Sequence, residues 1–516
     1  MDLRWLFVCT FLLVSLKELK AETPQQWIDI ANAELQRALN NERIVKRPKN
    51  VVLFLGDGMG VATLTAARIY KGQMGGANGE ETSLTFEKFP NLGLSKTYND
   101  NAQIPDSAGT ATAYLCGQKA ALGVIGVNSN ATFGDCASAT GNHITSILEW
   151  AQQAGKVTGI VTTTTITHAT PAAAYAHTPS RDWESYVEGT DEDRKMCKDI
   201  ARQLVEDLPG QNIRVIFGGG RQGFVPNNET DPAFGSRGAR KDGRNLLRLK
   251  GLDVSNTDFV LGLFGPSHLA YDLLRERDGP KQPTLKEMTT KAIDILQKDP
   301  NGFFLLVEGG KIDHAHHAGQ ARLALHDTVA FDAAIEAAVA MLPADDTLFV
   351  VTADHSHTIG MGGYPSRGNG ILKGPEGVRA KDGLPYLTLS YANGPGASQS
   401  GSRRDLTDSK TEENEFLQEA LVPLSVETHG GEDVAIYAKG PFAHLFHTLH
   451  EQHYIAVAMD YAACYRSNTP DHCRSPAPTS SGNDTREATT AASRATSFSA
   501  AATLIIVACF CLAMLK

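Results

Sequence analysis

The sequence lacks the clustered lysine and arginine that a phosphate backbone requires. Its 48 basic residues are outnumbered by 58 acidic ones, leaving a net charge of -10, so no nucleic-acid partner is expected and the default ligand is a small molecule or another protein. Long apolar runs are missing from the interior and occur only at the two ends. "MDLRWLFVCTFLLVSLKELKA" carries an early Arg4, an apolar stretch from Trp5 to Leu16 and a small residue at Ala21, the pattern of a signal peptide over residues 1–21. "FSAAATLIIVACFCLAML" closes the chain with only Lys516 after it. It is barely long enough to span a bilayer and lacks a basic flank to hold it there. Upstream lie small residues around Asn483 and then a polar spacer, the order of a GPI-attachment signal. The expectation is attachment at Asn483 and loss of residues 484–516.

Cysteine is also scarce. Of eight, Cys9, Cys509 and Cys511 fall in the terminal segments, leaving five. An odd number in an oxidising compartment implies two disulfides and one thiol. Cys464 and Cys473 can close a small loop, Cys136 and Cys197 then pair by elimination, and Cys116 in the apolar "AYLCG" remains free. Sequons at Asn130, Asn228 and Asn483 agree with a secreted chain.

What the interior of the 516-residue chain does contain is a recurrent unit: a short apolar run followed at once by chemically capable residues. Five such runs are "NVVLFLGDGMG", "GIVTTTTITHATP", "VIFGGG", "GFFLLVEGGKIDHAHH" and "TLFVVTADHSH". Helical patterns such as "NHITSILEWAQQAG" and "LALHDTVAFDAAIEAAVAML" lie between them. Continuous apolar strands alternating with amphipathic helices predict an α/β fold, a large and mostly parallel sheet sandwiched between helices. Ligands bind such sheets at the carboxyl ends of the strands, which is where Asp57, His168, Thr170, Glu308, Asp354 and His355 fall. Residues 362–426 change texture, to Gly, Pro, Ser and charge, and read as an inserted surface subdomain within a catalytic domain over 22–483.

Two stretches carry the chemistry. If "IDHAHH" begins a helix, Asp313 and His317 share one face, a zinc-binding arrangement. Glu308 at the preceding strand end is a hard oxygen ligand suited to magnesium. In "IPDSAGTATAYLCG", Ser107 falls at a helix N-terminus, where free N–H groups and the macrodipole favour an anion. A serine beside metal ions can ionise near neutral pH and attack phosphorus.

From about Trp27 to Cys473 the sequence resembles the metazoan alkaline phosphatases, secreted, GPI-anchored, dimeric metalloenzymes. "GDGMG", "PDSAGTATAYLCG", "VEGGKIDHAHH", "TADHSH" and "ETHGGEDV" match the family's motifs in order. The resemblance implies a phosphate-monoester hydrolase of broad specificity with Ser107 as the nucleophile that becomes phosphoserine. It implies two zinc ions per subunit, one held by Asp313, His317 and His429, the other by Asp57, Asp354, His355 and the Ser107 oxygen. It implies one magnesium on Asp57, Thr170 and Glu308, with His168 behind it, and Arg181 as the grip on two phosphate oxygens, a task guanidinium geometry suits. His314, His316 and His357 match residues that support the ligands. A homodimer is implied too, with Tyr364 matching a tyrosine that reaches the partner's active site. Two other readings are open to the same residues: a sulfatase or phosphodiesterase of the same superfamily, and an inactive membrane-anchored binding protein that keeps the fold. The first needs a Cys/Ser-X-Pro-X-Arg context that is absent around Ser107; the second is expected to lose ligands, and here every position is present.

Overall fold

The computed structural model describes residues 23–249, 259–279, 281–466 and 470–474. The signal-peptide reading over 1–21 and the attachment signal with Asn483 lie outside them. Among the described residues no helix is long and apolar enough to cross a membrane.

The apolar runs become strands because they are continuous and are buried on both faces. In chain order the strands are β1 (Asn50–Gly56), β2 (Asn91–Lys96), β3 (Val157–Thr165), β4 (Val215–Gly219), β5 (Val260–Leu263), β6 (Phe303–Gly309) and β7 (Thr347–Ala353). There follow β8 (Ser356–His357), β9 (Ile359–Met361), β10 (Leu389–Gly394), β11 (Ala420–Pro423), β12 (His429–Gly430), β13 (Val434–Lys439) and β14 (Thr448–Glu451). Nine of them form one sheet in the order β14-β2-β13-β7-β1-β6-β3-β4-β5. Only β13 runs against its neighbours, pairing antiparallel with both β2 and β7.

Every residue of β1, β6 and β7 is buried. Alternation along β1 divides its side chains between two cores: Val51, Leu53 and Leu55 join the cluster on one face, Val52 and Phe54 the cluster on the other. The long helix Ala321–Met341 covers the second face, where Phe331 packs edge-on against Phe54 at 6.1 Å. A sheet buried this way cannot bind anything on its faces. Its chemistry is therefore displaced to the strand ends.

Residues 362–426 hold β10 and β11; β10 is the centre of a separate three-stranded sheet, paired with β9 on one side and β11 on the other. Cys136–Cys197 and Cys464–Cys473 are disulfide-bonded, and Cys116 is a buried free thiol, as read from the sequence. Asn130 and Asn228 are both exposed.

Candidate active site

Adjacent strands β7, β1, β6 and β3 deliver the site. Asp57 follows β1, Glu308 ends β6, Asp354 and His355 follow β7, and His168 and Thr170 follow β3. The register explains the convergence: Leu55 of β1 lies opposite Glu308 of β6 and Thr352 of β7, so three chains reach their polar ends at one level. β4, the remaining apolar run, brings no such residue, because it lies beyond β3 at the far side of the sheet. The site therefore draws on four strand ends, where the sequence reading counted five.

Local chain geometry aims each group. Gly58 has φ +68°, and a Cβ there would collide with the His357 ring; only glycine turns the chain this sharply beside Asp57. Asp106 caps the helix Ser107–Cys116, its carboxylate accepting from Gly109 N–H at 3.1 Å. Ser107 is thereby held in the first turn and is 1% exposed. The same Asp106 carboxylate accepts from Gly123 N–H at 3.0 Å and from Arg181 Nη1 at 3.0 Å, so one cap fixes both the serine and the arginine. "IDHAHH" is indeed helical, within Lys311–His317, and His317 Nε2 stands 3.5 Å from Asp313 Oδ1.

Three groups of acceptors face one another. His317 donates from Nδ1 to the Glu427 carbonyl at 2.5 Å, and His429 from Nδ1 to the Pro105 carbonyl at 2.7 Å. Each neutral ring then presents a lone pair at Nε2, and the two Nε2 atoms lie 3.0 Å apart, both within 3.5 Å of Asp313 Oδ1. In the second group His355 donates from Nδ1 to the Ser356 carbonyl at 3.1 Å. Its Nε2 faces Asp354 Oδ2 at 3.1 Å, Ser107 Oγ at 3.1 Å and Asp57 Oδ1 at 3.6 Å. The third joins Asp57 and Glu308, with His168 close by. Asp57 Oδ2, Asp354 Oδ2 and Glu308 Oε1 are buried with no hydrogen-bond partner. Buried lone pairs facing lone pairs are costly unless a cation sits between them.

The titration of the groups says the same. Burial, joined by the charges of Asp354 and Asp313, pushes Asp57 well above the carboxylate range. Burial pushes Glu308 up to about 7, against hydrogen bonds from Thr162, Thr170 and Thr164. Burial also pushes His168 and His355 well down, keeping both rings neutral. His357 differs: burial alone would lower it, but Asp313 at 2.7 Å and Glu427 at 2.5 Å hold it up at about 9. With both ring nitrogens donating, His357 has no lone pair for a metal.

His316, His168 and His314 make hydrogen bonds of their own beside these groups. His316 bridges Thr63 Oγ1 at 3.0 Å and Tyr391 OH at 2.8 Å. His168 Nε2 accepts from Arg181 Nη2 at 3.3 Å. His314 Nδ1 accepts from Lys311 Nζ at 3.2 Å. Thr170 accepts from Tyr114 OH at 3.3 Å. Several residues that act here are absent from the sequence reading: Asp106, Glu427, and Thr162 and Thr164, whose hydroxyls donate to Glu308 Oε2. His268 is another, packed edge-on to His168 and His314 with ring centroids at 5.4 and 4.4 Å. Asp106 and Glu427 did carry a signal, each lying within two residues of a predicted site residue. The threonines and His268 carried none.

Comparison with known proteins agrees with this geometry. The profile described as "Alkaline phosphatase" matches residues 48–465. Alkaline phosphatase of Gadus morhua is 49% identical over 471 residues, 86% of this chain and 98% of the relative. The tissue-nonspecific isozyme of Homo sapiens is 47% identical over 495 residues, 91% of this chain and 94% of the relative. Among solved structures, alkaline phosphatase from the Antarctic bacterium TAB5 superposes with a TM-score of 0.58 at 23% identity, over 82% of this chain and 100% of that one. That from Thermus thermophilus gives 0.58 at 23%, over 84% and 94%; at this identity the two speak for the fold alone. With the profile covering most of the chain and relatives near half identity, the chain belongs to the alkaline phosphatase family.

Proposed function

We propose that the protein hydrolyses phosphate monoesters of broad structure through a phosphoserine at Ser107, with two zinc ions and one magnesium per subunit. The observation that carries this is the set of buried lone pairs facing one another beside Ser107, whose Oγ lies 3.1 Å from His355 Nε2 and 3.4 Å from Asp57 Oδ1. Asp313, His317 and His429 would hold one zinc. Asp57, Asp354 and His355, with Ser107 Oγ, would hold the other. The magnesium falls to Asp57, Thr170 and Glu308, all hard oxygen donors, so Asp57 serves two ions. Imidazole donors, two in one zinc set and one in the other, stand beside a set of oxygens alone, and imidazole suits zinc where carboxylate and hydroxyl oxygens suit magnesium. When bound, the ions supply Lewis-acid charge that lowers the serine pKa and neutralises the phosphoryl oxygens.

The chain's own groups do the rest. Ser107 Oγ attacks phosphorus, the Oγ–P bond forms as the bond to the leaving oxygen breaks, and water then cleaves Oγ–P to return serine and inorganic phosphate. Arg181 is held by Asp106 and His168, so its donors are oriented before the phosphoryl group arrives. The helix N-terminus at Ser107 adds fixed N–H dipoles. None of these groups requires contact with the leaving alcohol, which supports broad specificity.

We read the chain as a GPI-anchored homodimer on the extracellular face of the cell membrane, entering by the secretory pathway. Two disulfides fit that route. The helix Pro24–Leu39 buries no residue and exposes Trp27, Ile28, Ile30, Leu35 and Leu39, and Tyr364 is 99% exposed; apolar surface of this kind supports a partner subunit.

Three outcomes are expected. Ser107→Ala abolishes the phosphoenzyme and lowers p-nitrophenyl phosphate turnover roughly 10³-fold or more while zinc content is unchanged; radiolabelled phosphate trapped on the variant at acid pH contradicts this. Phosphatidylinositol-specific phospholipase C releases the activity from membranes, whereas activity leaving the pellet only after proteolysis means a spanning helix. The third concerns pH. Glu308 (about 7 when folded, 4.5 unfolded) and Asp57 are raised by folding, so each contributes stability below its unfolded pKa that is lost as pH rises through the folded value. His357, raised from 6.5 to about 9, acts in the same sense. The histidines lowered by burial are neutral in both states above 6.5 and drop out. Metal-free protein therefore melts at progressively lower temperature from pH 6.5 to 9, and zinc with magnesium flattens the slope. Equal slopes with and without metal rule this out.

A further inference from the structure

Glu427 is 1% exposed and makes five hydrogen bonds within the protein. Its main chain pairs reciprocally with His317: the Glu427 N–H donates to the His317 carbonyl at 3.0 Å, and His317 Nδ1 donates back to the Glu427 carbonyl at 2.5 Å. Its carboxylate works elsewhere. Oε2 accepts from His357 Nδ1 at 2.5 Å, while Oε1 accepts from Thr358 N–H at 2.7 Å and Thr358 Oγ1 at 2.6 Å. His357 in turn donates from Nε2 to Asp313 Oδ1 at 2.7 Å. That oxygen is the one facing the Nε2 lone pairs of His317 and His429.

One residue thus touches the Asp313 group by two separate routes. We infer that Glu427 is the positioning residue of this group: its main chain aims His317, and its carboxylate, through His357, aims Asp313. His357, Glu427 and His317 stand close enough to suggest a metal site of their own, but the hydrogen bonds exclude it. Both nitrogens of His357 are spent as donors, and the Glu427 carboxylate already accepts three hydrogen bonds. The trio is a brace for ligands and holds no ion itself. Glu427 also lies two residues before His429, so the segment that enters β12 with one ligand is anchored to the two others.

The inference rests on the zinc reading of Asp313, His317 and His429. Side-chain replacement cuts only the carboxylate route, because the main-chain pair with His317 survives it. In Glu427→Ala, competition with a graded chelator is expected to show one of two zinc equivalents binding about 10- to 100-fold more weakly, the range for loss of a residue that orients a ligand, with the second equivalent unchanged. Glu427→Gln, which can still hydrogen-bond Thr358 and the ring, falls between the alanine variant and the parent. Unchanged affinity in Glu427→Ala overturns the inference. So does equal loss of both equivalents together with a lower melting temperature of the metal-free protein, since that marks a general structural role. Should the alanine variant not fold, parental zinc affinity in Glu427→Gln is the overturning result. If the parent protein itself binds no zinc, the functional reading fails first. Metal-free crystal structures then decide this one: His357 still bonded to Asp313 in Glu427→Ala contradicts it, and His357 swung away supports it.

Discussion

Four carboxylates, those of Asp57, Glu308, Asp313 and Asp354, are buried at the ends of β1, β6 and β7 and on the helix that follows β6, and their mutual repulsion is the constraint that orders the rest of the site. Two unit charges about 4 Å apart repel by about 4 kcal/mol even at an effective dielectric near 20. A few such pairs rival the roughly 5–15 kcal/mol by which a whole domain is stable. Elsewhere the chain compensates buried charge from within: Arg240 is fully buried, and Asp199 and Asp242 receive its guanidinium. At the strand ends one cation touches the four, His357, which donates to Asp313 and is shared with Glu427, while Arg181 is engaged by Asp106. One imidazolium does not balance four carboxylates; the remaining compensation must come from protons or from bound cations, and the neutral histidines pointing lone pairs into the same space choose cations.

Rigidity follows from where those groups are rooted. Glu308 lies within β6, Asp57 and Asp354 directly follow β1 and β7, and Asp313 sits on the helix after β6; the histidines are each tied by the nitrogen that does not face the site. His317, His355 and His429 all donate to main-chain carbonyls, so ring orientation is set by the fold before any ion arrives. Such preorganisation avoids a reorganisation cost when charge moves during reaction. Asp106 and Glu427 extend the principle outward, since each holds two groups at once and couples the serine helix to Arg181 and the Asp313 helix to the β12 segment.

Much of this was legible in the sequence, for a physical reason. A strand buried on both faces must be a continuous apolar run, so "NVVLFLG", "FFLLVEG" and "TLFVVTA" declare themselves, and the polar residue that ends each run marks a strand end. Asp57, Glu308 and Asp354 are visible on that ground alone. Asp313 and His317 follow from helical spacing, and Ser107 from its place at the start of a helical run. Other features were not legible locally. Thr162 and Thr164 lie inside β3 and look like ordinary strand threonines, yet the register that sets β3 beside β6 turns their hydroxyls onto Glu308. His268 comes from the loop after β5 and meets His168 and His314 only through the tertiary fold. "VIFGGG" misled in the other direction: its apolar run forms a strand of the sheet, but sheet order carries it away from the site.

The central claim is that cations complete the cluster around Ser107. A crystal structure with diffraction recorded on either side of the zinc absorption edge tests it most directly. The account predicts two anomalous peaks per subunit, one among Asp313, His317 and His429 and the other among Asp57, Asp354, His355 and Ser107, with a lighter ion lacking zinc signal beside Glu308 and Thr170. No anomalous density in protein prepared without chelator, or a zinc peak liganded by His357, contradicts it.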